Sequence, residues 1–164
     1  MAALQRSISG VEPVKFSFPI WYVSPVLATR GVIRLERLSD YKALVSSAKE
    51  AARAAYAPYS KLAQGAALLA ADGKIYKGAK MECAAYSGSV CAETAALVAA
   101  ITDGARKFKA IAIYPFEYPC GTTRQMLAEF GIELDILVEH PDGQISAVSL
   151  KDLLPLHFGP DNLS

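Results

Sequence analysis

Apolar residues recur at Tyr41, Leu44, Val45, Ala48, Ala51, Ala52 and Ala55, the three- and four-residue spacing that lines one face of a helix. Ser39 or Asp40 suits its N-cap, and the helix should end near Pro58. Beyond it the pattern shortens. Gly65 to Ala71 and Lys74 to Met81 predict two strands joined at Asp72-Gly73, a dipeptide that favours a tight hairpin. Cys91 to Ile101 predicts a helix, Ala110 to Tyr114 a strand, Thr122 to Phe130 a helix and Leu134 to Val138 a strand. After the turn at Pro141-Asp142-Gly143, Ile145 to Val148 predicts a fifth strand. Strands alternating with helices, and hairpins at both ends, predict an α/β fold with a mixed sheet covered by helices.

Residues 1–38 do not share this rhythm. Val14 to Phe18 and Val32 to Leu35 resemble short strands, punctuated by Pro19, Pro25 and Gly31. Ile20-Trp21-Tyr22-Val23 is too apolar to stay solvated. The expectation is an N-terminal extension packed on the main domain or on a neighbouring subunit, with a partly disordered tail as the alternative. The main domain is expected over 39–164.

Composition narrows the function classes. A chain of 164 residues, 52% apolar, is long enough for one domain with a real core. Its 17 basic and 16 acidic residues are well mixed, for a net charge of +1, which argues against a nucleic acid groove or an acidic-membrane surface. A small-molecule partner is the default. Three cysteines, an odd number, without a secretory segment point to a reducing compartment and to chemistry rather than a disulfide framework. No apolar run reaches membrane-spanning length, so a cytoplasmic protein is expected.

Two stretches carry that chemistry, Val90-Cys91-Ala92-Glu93 and Pro119-Cys120-Gly121-Thr122-Thr123-Arg124-Gln125. Each puts a cysteine at the start of a predicted helix, where partial positive charge lowers a thiol's pKa. Two such ends facing each other would hold two thiolates ready for a cation. Cys120 and Thr123, three apart, share a helix face and address one point. Alone, the cysteines could equally be small buried apolar residues, and Glu93 a carboxylate complementing a helix dipole.

The C-x-E followed by P-C-x-x arrangement resembles the zinc-dependent nucleobase deaminases. Within them the chain is similar to the small cytidine deaminases, through Ala55-Tyr56-Ala57-Pro58-Tyr59-Ser60-Lys61, Gly65-Ala66-Ala67-Leu68-Leu69, Cys91-Ala92-Glu93, Pro119-Cys120-Gly121, Arg124-Gln125, Leu153-Leu154-Pro155 and Phe158-Gly159-Pro160. The matches run in family order from about Tyr41 to the C-terminus. The resemblance implies a three-layer α/β/α fold with a five-stranded mixed sheet and a Zn2+ cofactor on Cys91, Cys120 and the position of Thr123. It implies Glu93 as the proton carrier, substrate contacts at Lys80, Glu82, Leu62 and Phe158, and a homotetramer or homodimer whose pockets are finished by a neighbour.

Four positions depart from the family. Thr123 stands where the last zinc cysteine should be, and Thr94 where arginine commonly follows C-A-E. Two thiolates on Zn2+ leave no net charge, so the loss of both together is electrostatically consistent with a two-sulfur zinc, and equally with decay of an unused site. Lys80-Met81-Glu82-Cys83 replaces N-x-E-N, and Leu62 replaces an aromatic. The Lys80 ammonium would favour a phosphate or carboxylate, or an internal pair with Glu82. Cys83, expected to face away from Glu82, is not a substitute ligand; His157, beside Phe158, is a distant candidate. Two functions follow. One is a hydrolase deaminating cytidine or a related pyrimidine nucleoside, anionic or modified forms included. The other is a catalytically silent relative that binds a nucleoside-like ligand or serves an oligomeric structural role.

Overall fold

The computed structural model describes residues 38–115 and 117–163, so the expectations for residues 1–37 lie outside the described residues. The elements run α1 (Leu38–Ala52), β1 (Gly65–Ala70), β2 (Ile75–Ala79), a 3-10 turn (Tyr86–Gly88), α2 (Ala92–Thr102), β3 (Phe108–Tyr114), α3 (Gly121–Ala128), β4 (Asp135–Glu139), β5 (Ile145–Ser149), α4 (Leu150–Leu153) and a second 3-10 turn (Pro160–Asn162). The sheet order is β2-β1-β3-β4-β5. Only β3 and β4 pair in parallel, joined through α3; the other three pairings are antiparallel.

Alternation along the strands separates two cores. Ala66, Leu68, Ile111, Ile113, Ile136 and Val138 face one side, where Ala96 and Leu97 of α2 and Leu127 of α3 cover them. Ala67, Ala110, Ala112 and Leu137 face the other, under Tyr41, Leu44, Val45 and Ala48 of α1. Helices on both faces make three layers. Each fully buried Leu or Ile among these contributes roughly 1.5–3 kcal/mol.

Two glycines set how close the helices come. A Cβ on Gly65 would lie 2.2 Å from Ala52 N, and one on Gly78 would lie 2.2 Å from both Ala92 O and Ala96 N. Backbone cannot give way there, so glycine lets α1 rest on β1 and the first turns of α2 rest on β2. The second approach fixes the height of the segment that begins at Cys91.

The differences from expectation are local. Helix α1 ends at Ala52, three residues before Ala55, and Ser39 and Asp40 fall inside its first turn rather than at its cap. The short α4 has no periodic signature in the sequence; the Ser149 hydroxyl caps it by accepting from Lys151 N. The Asp72-Gly73 hairpin forms as expected, with Gly73 at φ 95° and Asp72 Oδ1 accepting from Lys74 N at 3.0 Å.

Candidate active site

Cys91 is the N-cap residue of α2 and Cys120 that of α3, both extended and neither making a side-chain cap hydrogen bond. The first turns of the two helices therefore leave both thiols free to point at each other. Cys120 Sγ and Thr123 Oγ1 are hydrogen bonded at 3.4 Å, and the Cys91 thiol lies within hydrogen-bonding reach of both Thr123 and Cys120. Thr123 is 1% exposed, so its hydroxyl has no solvent to turn to. Two sulfurs and one hydroxyl thus converge, in the positions the sequence pattern placed them.

The two thiols differ electrostatically. The Thr123 hydroxyl first, then the backbone N–H groups of Thr123 and Thr122, hold the Cys120 thiol below its ordinary value. Burial, and then the charge of Glu93, push Cys91 up. A helix N-terminus favours a thiolate only where water or donors remain to solvate it; at Cys91, burial outweighs the dipole.

Glu93 sits two residues past Cys91 in the first turn of α2, 7% exposed. Burial raises its carboxyl pKa above the ordinary value, and the charge of Glu117 adds to the rise. Glu117, which accepts from Gln64 Nε2, had no signal in the sequence. Thr94, one residue on, reaches Met126 Sδ at 3.9 Å and bridges α2 to α3.

A second cluster lies along the same path. Met81 and Val90 exchange backbone hydrogen bonds at 3.0 and 2.8 Å, which ties the segment of Lys80 and Glu82 to the residue before Cys91. Lys80 Nζ pairs with Glu82 Oε1 at 3.0 Å, so the internal ion pair, one of the two expectations for Lys80, is the one realised. Glu82 Oε2 accepts from Tyr59 N at 2.9 Å and Ser60 N at 3.1 Å, and Oε1 also accepts from the Ser60 hydroxyl. The Ser60 hydroxyl first, then the backbone N–H groups of Ser60 and Tyr59 and the Lys80 ammonium, lower the Glu82 pKa to about 2 against the opposing effect of burial. Ser60 was visible in the sequence only as part of a motif, without a role.

The remaining candidates are not drawn in. Leu62 enters through its backbone, its carbonyl accepting from Lys80 Nζ at 3.4 Å, while its side chain is 40% exposed. Phe158 is 57% exposed, and its carbonyl accepts from Gln125 Nε2 at 2.7 Å. Cys83 lies against Gly88, and the His157 ring against Gly159. Arg124, quoted in the motif without a function, donates through Nε to Pro119 O at 2.7 Å and through a guanidinium nitrogen to Leu153 O at 2.9 Å. It ties the loop before Cys120 to the C-terminal segment.

The donor set can be tested against zinc. Among the described residues no three His, Cys, Asp or Glu side chains gather as ligands. Two converging cysteines nevertheless suit a thiophilic divalent ion, with Thr123 as a weak neutral third donor. The fit is to a cation held through Cys91 and Cys120. No helix among the described residues is long and apolar enough to cross a membrane.

The sequence profile of the cytidine and deoxycytidylate deaminase zinc-binding region matches residues 26–114, which include Cys91 and Glu93 but stop short of Cys120 and Thr123. A cytidine deaminase of Sporosarcina psychrophila is 41% identical over 131 residues, covering 76% of this chain and 96% of that protein. One of Mycobacterium tuberculosis is 38% identical over 128 residues, covering 76% and 93%. Among solved structures, the crystal structure of cytidine deaminase from Burkholderia pseudomallei superposes with a TM-score of 0.67 at 40% identity, covering 71% of this chain and 98% of that one. With this profile over more than half of its length and relatives about 40% identical over most of it, the chain belongs to the cytidine deaminase family.

Proposed function

We propose that this protein hydrolytically deaminates cytidine or a closely related pyrimidine nucleoside, with zinc held by Cys91 and Cys120 and Thr123 as a weak third donor. The observation that carries the reading is the buried Glu93, its pKa raised by burial, in the same helical turn as Cys91 and beside the convergence of Cys91, Cys120 and Thr123. When bound there, zinc supplies the Lewis acidity that brings a water pKa towards about 7. Glu93 takes the proton from the attacking water and returns it to the nucleobase and its leaving amine. Water adds to the amidine carbon, the exocyclic C–N bond breaks, and ammonia leaves. A carboxyl with a raised pKa suits both halves of that transfer, because it accepts and releases a proton nearer neutrality.

A neutral nucleoside fits better than an anionic one. Glu82 already neutralises the Lys80 ammonium, which removes the attraction that phosphate or carboxylate would otherwise find. Lys80 and Glu82 would lie at the sugar end, Leu62 near the base, and Phe158 would come from a neighbouring copy. A homotetramer or homodimer is supported by the exposed Phe158 ring and by the apolar groove of Leu97, Val98, Ile101, Met126 and Phe130 between α2 and α3. The three free cysteines support a cytoplasmic location.

Thr123 favours a second reading, a silent relative that binds nucleoside without turnover. Elemental analysis of protein never exposed to chelator, combined with an assay of cytidine conversion to uridine and ammonia, separates the two. The deaminase reading expects close to one zinc per chain and turnover that vanishes with the metal. Well under one metal per chain, with no turnover after zinc loading, overturns it.

A further inference from the structure

The corner formed by Ser60, Lys80 and Glu82 can be counted donor by donor. A carboxylate accepts about four hydrogen bonds, an ammonium donates three, and a hydroxyl donates one and accepts two. Glu82 Oε2 takes Tyr59 N and Ser60 N; Oε1 takes the Ser60 hydroxyl and Lys80 Nζ. Lys80 Nζ gives its three donors to Glu82 Oε1, to Ser60 Oγ at 3.2 Å and to Leu62 O at 3.4 Å. Ser60 Oγ donates to Glu82, and accepts from Lys80 Nζ and from Leu62 N at 3.1 Å. Every valence in the corner is used inside the chain.

The family resemblance assigns this corner to recognition of the sugar, through an amide at position 80 and the carboxylate at 82. A lysine at position 80 changes the count. Its third donor closes Ser60 and Leu62 as well as Glu82, and its side chain is only 17% exposed, so the pair is poorly placed to open towards solvent. We infer that Glu82 does not read the sugar hydroxyls of the substrate in this protein, so that a pyrimidine nucleoside lacking both the 2′- and 3′-hydroxyls is accepted as readily as the ribonucleoside. This rests on the nucleoside deaminase reading and makes Glu82 a positioning residue: it holds the 59–60 turn and Lys80 in place and does not bind the sugar.

The test compares cytidine with 2′,3′-dideoxycytidine as substrates of the zinc-loaded full chain. It also compares calorimetric affinities for uridine and 2′,3′-dideoxyuridine, which need no turnover. Both ratios should lie within about threefold of one, whereas a hydrogen bond from a sugar hydroxyl to a free carboxylate is worth about tenfold or more. Lys80→Asn and Lys80→Met each release a lone pair on Glu82 Oε1 and one on Ser60 Oγ, and should raise the preference for the hydroxylated sugar about tenfold. A purely structural effect would weaken both ligands equally and leave the ratio alone. If Lys80→Asn does not fold, Lys80→Met retains the apolar stem that packs there. A tenfold preference for cytidine in the parent, or a ratio unmoved in the folded Lys80→Met variant, overturns the inference while leaving the deaminase reading intact. Absence of both cytidine turnover and uridine binding overturns the deaminase reading, and this inference with it.

Discussion

Two corners of this molecule, joined by the Met81–Val90 backbone bridge, differ in how fully their polar groups are used. Around Glu82 every donor meets an acceptor: the carboxylate holds two backbone N–H groups, a hydroxyl and an ammonium, and its pKa falls to about 2. Around Cys91 and Cys120 the side chains converge but are poorly satisfied, with two thiols and a hydroxyl sharing weak contacts beside a carboxyl whose pKa is raised. A saturated polar corner stabilises a turn and is inert. The other, with soft donors aimed at one point and the Cys120 thiol still exposed, has capacity left for a ligand.

The largest expected effect is at the open corner. Glu93→Gln keeps the shape of the side chain and removes its proton transfer, so turnover of cytidine should fall by about 10²- to 10⁴-fold while the thermal midpoint stays close to the parent's. Steady-state kinetics and a melting curve measured together check this, and an active Glu93→Gln variant would mean that another group carries the proton.

Gly78→Ala asks whether the open corner depends on how α2 sits. The added Cβ would meet Ala92 O and Ala96 N at 2.2 Å, so it must lift the first turn of α2 from β2. We expect a loss of roughly 1–3 kcal/mol in stability by denaturant unfolding. Zinc uptake should weaken too, because Cys91 moves with that turn while Cys120, on α3, does not.

Thr123→Cys completes a set of three thiolates and should tighten zinc binding in competition with a metal-sensitive dye. The added negative charge then needs a partner, so Thr94→Arg should help Thr123→Cys more than it helps the parent. A coupling of about 0.5–3 kcal/mol in zinc affinity is expected for two groups acting through one ion. Simple additivity would mean that Thr123 and Thr94 do not share the metal.

The smallest effect belongs to the closed corner and depends on pH. The Glu82 carboxyl has a folded pKa of about 2 against an ordinary value of 4.5. A depressed carboxylate pKa stabilises the fold above the unfolded value, and that stabilisation is lost as pH falls from about 4.5 towards 2. Ser60→Ala removes the largest cause of the depression, so the drop in melting temperature attributable to Glu82 should shrink and end at a higher pH, while still beginning near 4.5. A melting profile identical to the parent's across that window would show that the Ser60 hydroxyl does not hold the carboxylate.

The five strands, α1, α2 and α3 were legible because their patterns reflect burial: the short continuous apolar runs at 66–70 and 110–113 suit strands covered on both faces, and three- and four-residue spacing at 41–52 marks a helix face that must leave water. The end of α1 was misread because Ala55 continues the apolar stripe in sequence although the helix has already given way to the turn before Pro58. Helix α4, four residues long, is too short for a period to register, and it depends on the Ser149 cap and on the burial of Leu150 in the core. The candidate site was legible as residue types at helix starts, since capping positions are local.

What the sequence determined by itself is therefore the set of elements and the identity of the donors, Cys91, Glu93, Cys120 and Thr123, because periodicity and capping act within a few residues of chain. Tertiary structure alone decided their states. The thiol of Cys91 is raised and that of Cys120 lowered, since desolvation depends on what packs above each side chain. It decided Lys80 as well. A lysine just past the end of β2 could equally have offered its charge to a ligand, and only the approach of the 59–62 turn, which brings Ser60 Oγ and Leu62 O within 3.2 and 3.4 Å, committed the ammonium to Glu82 and its neighbours. Electrostatic and hydrogen-bond energies depend on distance and solvation between residues far apart in the chain, and those are set only when the sheet and its helices come together.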